Sequence, residues 1–300
     1  MSRTISTLSA LLLLSACSGK DADSGDEHHD HDAGEGEGEG EGEGEGEGEG
    51  ESAATLQFVA EVDGLAFVCG DDYALGDSTV SFDDLRFYVS EVEAVDGSGT
   101  TVPLTIVDAE PWQGAGVALL DFENGCRSGT SEVNHTVTVA GLPAGEWQAL
   151  RFTVGVPFDV NHDDVATAPT PLNVSSMFWS WAAGYKFLKV DGSSTGLPSG
   201  FSLHLGSTMC EMDEAGTVTG CANENRVVVE LSGSFNPDAS SLVLDLADLV
   251  DGVDLDNNTP DTPAVCMSAP SDPDCAPLFD NLGLPFGEGA GGSTDIFTVR

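Results

Sequence analysis

Between Asn161 and Gly206 the chain gathers side chains suited to holding a soft metal ion. Asn161-His162-Asp163 follows a strand end at Val156-Pro157. Met177, Trp179 and Trp181 then fall within five residues, followed by Tyr185 and Phe187, and His204 lies within Phe201-Ser202-Leu203-His204-Leu205-Gly206. In a strand, Phe201, Leu203 and Leu205 share one face and His204 points to the other. Imidazole binds copper in either oxidation state, and a thioether such as Met177 favours Cu(I). The rival reading is packing, because Trp, Met and Phe in a β-rich core usually just bury area.

No other motif competes with this cluster. There is no GxSxG, HExxH, Walker loop or GxGxxG entering a helix, and no nucleophile–base pair with a motif around it. The pairs Asp83-Asp84 and Asp163-Asp164 are expected by chance in so acidic a chain. Asp254-Leu255-Asp256-Asn257-Asn258 starts like a calcium loop but has Thr259 where the sixth-position Gly belongs and Val265 at the twelfth. The reading is therefore of a binding protein and not an enzyme.

The elements that must position the cluster read as short strands. Segments 56–68, 79–95, 102–107, 132–140, 147–156, 201–206 and 226–235 alternate or are rich in β-formers. Turn signals such as Asp96-Gly97-Ser98-Gly99 and Leu142-Pro143-Ala144-Gly145 separate them. Repeated strands without long intervening helices predict a mainly β fold, a β-sandwich with one or two short helices and disulfide-stapled loops. The helical candidates are 175–185, with Asn173 or Ser175 as N-cap, and 239–250, although 241–249 also alternates like a strand.

Six cysteines follow Cys17, an even number that reads as disulfides in an exported chain. Short loops favour Cys210–Cys221 and Cys266–Cys275, leaving Cys69–Cys126. Zinc is the weaker reading, since neither spacing gives a CxxC knuckle.

Export is read from the first residues. Residues 1–16 carry Arg3, a short apolar stretch and a small-residue end, a secretory signal rather than a membrane span. Leu14-Ser15-Ala16-Cys17 resembles the bacterial lipobox, which makes Cys17 the lipidated N-terminus. Ser18 in place of Asp implies the outer membrane, facing the periplasm or the cell surface. Residues 17–54, with nine Gly-Glu repeats, predict a disordered acidic tether, and residues 55–300 the folded domain. His28-His29-Asp30-His31-Asp32 within the tether lacks the preorganisation of a metal site. With 9 basic against 52 acidic residues the formal net charge is −43. That excludes nucleic acid and polybasic membrane contacts, leaving the lipid as the only membrane attachment.

The cluster also carries a resemblance. Residues Asn161-His162-x-Asp164-x-Ala166-x-Ala168-x-x-Pro171-Leu172-Asn173 and Met177-x-Trp179-x-Trp181-x-x-Gly184-Tyr185-Lys186-Phe187 resemble the MbnP-type family, also called metallo-mystery-pair four-Cys motif proteins. Asp84-x-Arg86-Phe87-Tyr88-Val89 and Leu203-His204-Leu205-Gly206-Ser207-Thr208-x-Cys210 match as well. So do Asn258-Thr259-Pro260-Asp261, Cys266-Met267-Ser268 and Asp272-Pro273-x-Cys275. The similarity covers roughly 55–285. It implies that Cys210, Cys221, Cys266 and Cys275 are the four family cysteines, with Cys69 and Cys126 an additional pair. It further implies copper, held as Cu(I), and a dihaem partner of the cytochrome c peroxidase/MauG type that oxidises a tryptophan to kynurenine. Carried over, His162 and His204 are the ligand candidates, joined by Met177 from its chemistry, and Trp179 or Trp181 is the oxidation candidate. Distant relatives place Trp two residues before a ligand His, and no Trp-x-His occurs here. The alternative is a structural or adhesive surface β-sandwich without a metal.

Overall fold

The computed structural model describes residues 52–126, 132–142 and 147–300. The signal segment, Cys17, the Gly-Glu repeats, the His28–His31 cluster and the centre of the 142–145 turn lie outside the described residues.

The organising element is the strand Ser78–Asp96, buried almost without interruption from Phe82 to Ser90. Such a run on both faces of the pleat means that the strand is covered on both sides. It is flanked by Trp147–Val154 and Leu188–Ser194, and beyond these lie Val227–Phe235, Phe201–Leu205 and Val265–Cys266. Asp72–Leu75, Thr101–Pro103 and Val117–Asp121 pair along other stretches of the same strand. One strand serves so many partners because it bends. Between the pairs Arg151↔Glu93 and Thr153↔Ser90 it carries an extra residue, and Glu91 there adopts φ 50°, the geometry of a bulge.

The second sheet runs Phe297–Val299, Ser241–Asp245, Ser52–Val62, Thr136–Leu142 and Thr105–Ile106. Ser52–Val62 pairs parallel with Ser241–Asp245 and antiparallel with Thr136–Leu142. Rings interlock between the sheets: Phe58 meets Phe87 and Phe152 edge-on at 6.1 and 5.6 Å, and Phe297 meets the same two at 5.8 and 5.3 Å. Each fully buried Phe stabilises the fold by about 1.5–3 kcal/mol. The mainly β sandwich expected from the sequence is the observed architecture.

The three disulfides pair as the loop lengths suggested: Cys69–Cys126, Cys210–Cys221 and Cys266–Cys275. Cys210 and Cys221 are direct cross-strand partners in the ribbon Thr208–Met212/Val218–Asn223.

Three local elements differ from expectation. The expected 175–185 helix is a single 3-10 turn, Ser175–Met177, followed by the small hairpin Phe178–Ser180/Gly184–Tyr185. Its amides are spent elsewhere: Lys186 N–H bonds the Met177 carbonyl and Tyr185 N–H bonds Asn161 Oδ1. No side-chain cap forms at its start. The 239–250 segment is strand Ser241–Asp245 and one helical turn, Leu246–Leu249, started by Asp245 accepting the Ala247 N–H. The first strand begins at Ser52, inside the stretch expected to be tether, because Ala54 pairs with Val139. Among the described residues no helix is long and apolar enough to cross a membrane.

Candidate metal centre

His204 stands on the Phe201–Leu205 strand opposite Lys189 and is only 5% exposed. Its Nε2 lies 2.8 Å from Asp191 Oδ1. Asp191 also accepts Ser202 Oγ–H at 2.7 Å and pairs with Lys189 Nζ at 2.7 Å. Burial pushes the Asp191 carboxyl up, but the His204 and Lys189 contacts outweigh it and hold it well below the usual carboxylate range. Burial lowers the His204 pKa more than Asp191 raises it, so the ring is neutral. A carboxylate can only accept, so the ring proton is on Nε2. That leaves a lone pair on Nδ1, which is buried without a partner.

Behind Asp191 the charges continue. Lys189 also pairs with Asp84, whose carboxylate takes the Arg86 guanidinium in a two-pronged contact. Arg86 Nη1 donates to Ser176 Oγ at 3.0 Å. Arg86, Asp84, Lys189 and Asp191 line a cavity of about 680 Å³, together with Ser202 and Phe201. Paired ions of both signs are what make so many buried charges tolerable.

His162 ends the helical turn Phe158–Asn161 and is half-buried. Its Nδ1 lies 2.9 Å from the Trp181 carbonyl. A carbonyl cannot donate, so Nδ1 holds the proton and Nε2 the lone pair. That Nε2 faces Asn161 Nδ2 at 3.3 Å and Cys221 Sγ at 3.6 Å. His162, Cys210 and Cys221 form a group whose ligand atoms all lie within 4.8 Å of one another and which could hold a metal ion. In the oxidised bridge, however, neither sulfur is a thiolate, and the thiolate is the strong ligand.

Between the two histidines sits the Trp179 segment. The Trp179 indole lies 6.4 Å from the His204 ring, centroid to centroid, and its Nε1–H is buried without an acceptor. It presses so closely on Gly206 that an added Cβ there would fall 2.5 Å from Trp179 Cζ3 and 2.6 Å from the Tyr185 carbonyl. Trp181 is 49% exposed. Met177 is fully buried within the apolar core, where packing accounts for it.

Asn161 ties these pieces together: Oδ1 accepts Tyr185 N–H at 2.9 Å and Nδ2 reaches Ser207 Oγ at 3.3 Å. Gly184, at φ +76°, approaches the Asn161 side chain so closely that a Cβ would overlap it. Along the sequence Asn161, Asp84 and Arg86 stand out only as motif residues, and nothing local marks Asp191 or Lys189. The one available signal was the Asp84/Arg86 spacing, which puts both on one face of a strand.

A family model for MbnP matches residues 51–268. The chain belongs to the MbnP family. Among solved structures, MbnP from Methylosinus trichosporium is similar at 30% identity, with a TM-score of 0.71, covering 83% of this chain and 98% of that one. A search of curated proteins finds no match. For this MbnP-family chain the matched residues include the His162 turn, the His204 strand and the Cys210–Cys221 ribbon.

Proposed function

We propose that this MbnP-family protein is an exported, lipid-anchored, non-enzymatic copper-binding protein. Residues 1–16 direct export, Cys17 carries the lipid, 17–51 spaces the domain from the outer membrane, and the sandwich binds Cu(I) through His162 and His204. The carrying observation is the state of His204: Nε2–H is committed to Asp191 and Nδ1 is buried without a partner. A ligand imidazole typically donates its second nitrogen to a carboxylate or carbonyl. His162 meets the same condition through the Trp181 carbonyl. Neutral imidazoles suit Cu(I), and the acidic exterior raises the local cation concentration.

Trp179 is the better oxidation candidate in this reading, because its indole N–H has no acceptor and its ring adjoins His204. A dihaem MauG-type partner spending two peroxide equivalents would cleave the indole C2–C3 bond, placing one oxygen on each carbon and releasing two waters. Hydrolysis then frees formate and leaves a kynurenine, whose aniline nitrogen and ketone add polar donors beside His204.

Competition against a chromogenic Cu(I) chelator, on protein produced with and without the dihaem partner, tests the reading. One Cu(I) per chain is expected, with loss in His204→Ala and in His162→Ala. Full copper retention in the double variant would overturn it. Peptide mass mapping should place any oxidised tryptophan at 179.

A further inference from the structure

The corner where His162 meets the Cys210–Cys221 ribbon sets two sulfurs, which copper binding through the two histidines does not use, beside the His162 imidazole. His162 Nε2 offers its lone pair toward the sulfurs, 3.6 Å from Cys221 Sγ, with only a 3.3 Å contact from Asn161 competing for it. All three ligand atoms lie within 4.8 Å, so small rotations would bring each to metal bonds of about 2.0–2.3 Å. The cysteines face each other across a ribbon also held by the pairs Thr208↔Asn223 and Glu211↔Gly220. Opening the S–S bond therefore leaves both sulfurs in place.

Access differs among the bridges. Cys266 and Cys275 are fully buried. Cys210 and Cys221 are half-buried, on a ribbon whose Met209 and Met212 are 62% and 49% exposed. Cys69–Cys126 is buried at Cys69 and half-buried at Cys126, so the Cys210–Cys221 bridge alone has both sulfurs half-buried and is the first that an external reductant reaches.

We propose that reduction of Cys210–Cys221 converts this corner into a second metal site, in which two thiolates and His162 Nε2 hold one soft d10 cation. A dithiol reductant transfers two electrons and two protons, giving two cysteine thiols and its own disulfide. Binding of the cation then releases the two thiol protons. Two sulfurs and one nitrogen suit three-coordinate Cu(I), or zinc and cadmium with water as a fourth ligand. The site shares His162 with the copper reading but stands on the cysteines, so it holds even if His204 binds nothing.

Cadmium is the probe, because it is redox-inert and its thiolate bonds absorb in the ultraviolet. The full-length protein is reduced mildly with a phosphine, desalted without oxygen and titrated with Cd²⁺ alone, beside the untreated protein. The reduced protein should develop thiolate–cadmium absorbance saturating at one ion per chain, and the oxidised protein none. His162→Ala should weaken cadmium binding at least tenfold, and Cys210→Ser with Cys221→Ser should abolish the absorbance. Alkylation of reduced wild type, mapped by mass spectrometry, should be blocked by cadmium at Cys210 and Cys221, a readout that needs no variant to fold. Absorbance that survives without these two cysteines, or cadmium that fails to protect them from alkylation, would overturn the proposal. Cu(I) binding by the oxidised protein is measured separately, so failure of the copper reading is distinguishable.

Discussion

The two histidines are held by different means. His204 stands on a regular strand inside a sheet, and a side chain orients it: Asp191, backed by Lys189, Asp84 and Arg86. His162 stands at the end of one helical turn, and a backbone carbonyl orients it, that of Trp181, across a loop fastened by Asn161 and the Cys210–Cys221 ribbon. The strand side is rigid but rests on three buried charged side chains, Arg86, Asp84 and Lys189, and on the half-buried Asp191. The loop side is half-buried at His162 and depends on chain path more than on any one side chain. Preorganisation by buried ions is thus sensitive to substitution, whereas preorganisation by backbone is sensitive to the turns and cross-links that set the path.

The largest expected effect attacks the strand side. Asp84→Ala leaves Arg86 and Lys189 without their shared carboxylate, and breaking such a buried pair costs about 3–5 kcal/mol. Denaturant unfolding measures it, and a loss below about 1 kcal/mol would show that the ion chain carries little weight.

Gly206→Ala strikes the seam between the two sides. The new Cβ collides with Trp179 and the Tyr185 carbonyl, so about 1–3 kcal/mol of overpacking strain is expected. Trp179 emission should shift as the indole is displaced. Unchanged fluorescence and stability would mean that the seam is looser than the contacts imply.

A paired substitution sharpens the contrast. Asp191→Asn should weaken Cu(I) binding by about 10–100-fold, the usual cost of losing the partner that orients a ligand imidazole. Trp181→Ala should leave affinity within about threefold, because His162 bonds the main-chain oxygen, which the substitution retains. Equal losses in chelator competition would erase the distinction between the sides.

The smallest effect lies outside both sides. Burial first, then the negative charges of Asp245, Asp251, Asp63 and Asp295, raise the Asp248 carboxyl above its ordinary value. The folded state therefore holds this proton more tightly than the unfolded state, and stability falls as pH rises through that window. Asp248 is solvent-exposed, so Asp248→Asn should stabilise the protein at neutral pH by no more than about 0.5 kcal/mol. The gain should vanish on acidification below the ordinary carboxylate range. A gain that persisted at low pH would point to the capped turn Leu246–Leu249 and not to charge.

Much of this was legible along the chain, because strand periodicity, turn residues and cysteine spacing are local properties. Alternation marked the Ser78–Asp96 and Val227–Phe235 strands within a residue or two, and loop length selected Cys210–Cys221 and Cys266–Cys275. The motifs around His162, Trp179 and His204 carried the family resemblance, and the residue types there named the chemistry. Tertiary structure alone decided the rest. The 175–185 segment had the composition of a helix, but Asn161, 24 residues before Tyr185, claimed the Tyr185 amide and turned it into a hairpin. Asp191 became the partner of His204 only through the register of two antiparallel strands, Asp191↔Ser202 and Lys189↔His204. The same packing set Trp179 beside His204 and left Trp181 in water. Sequence determines which groups are available, but which lone pair is free depends on partners that only the folded chain brings within hydrogen-bond distance.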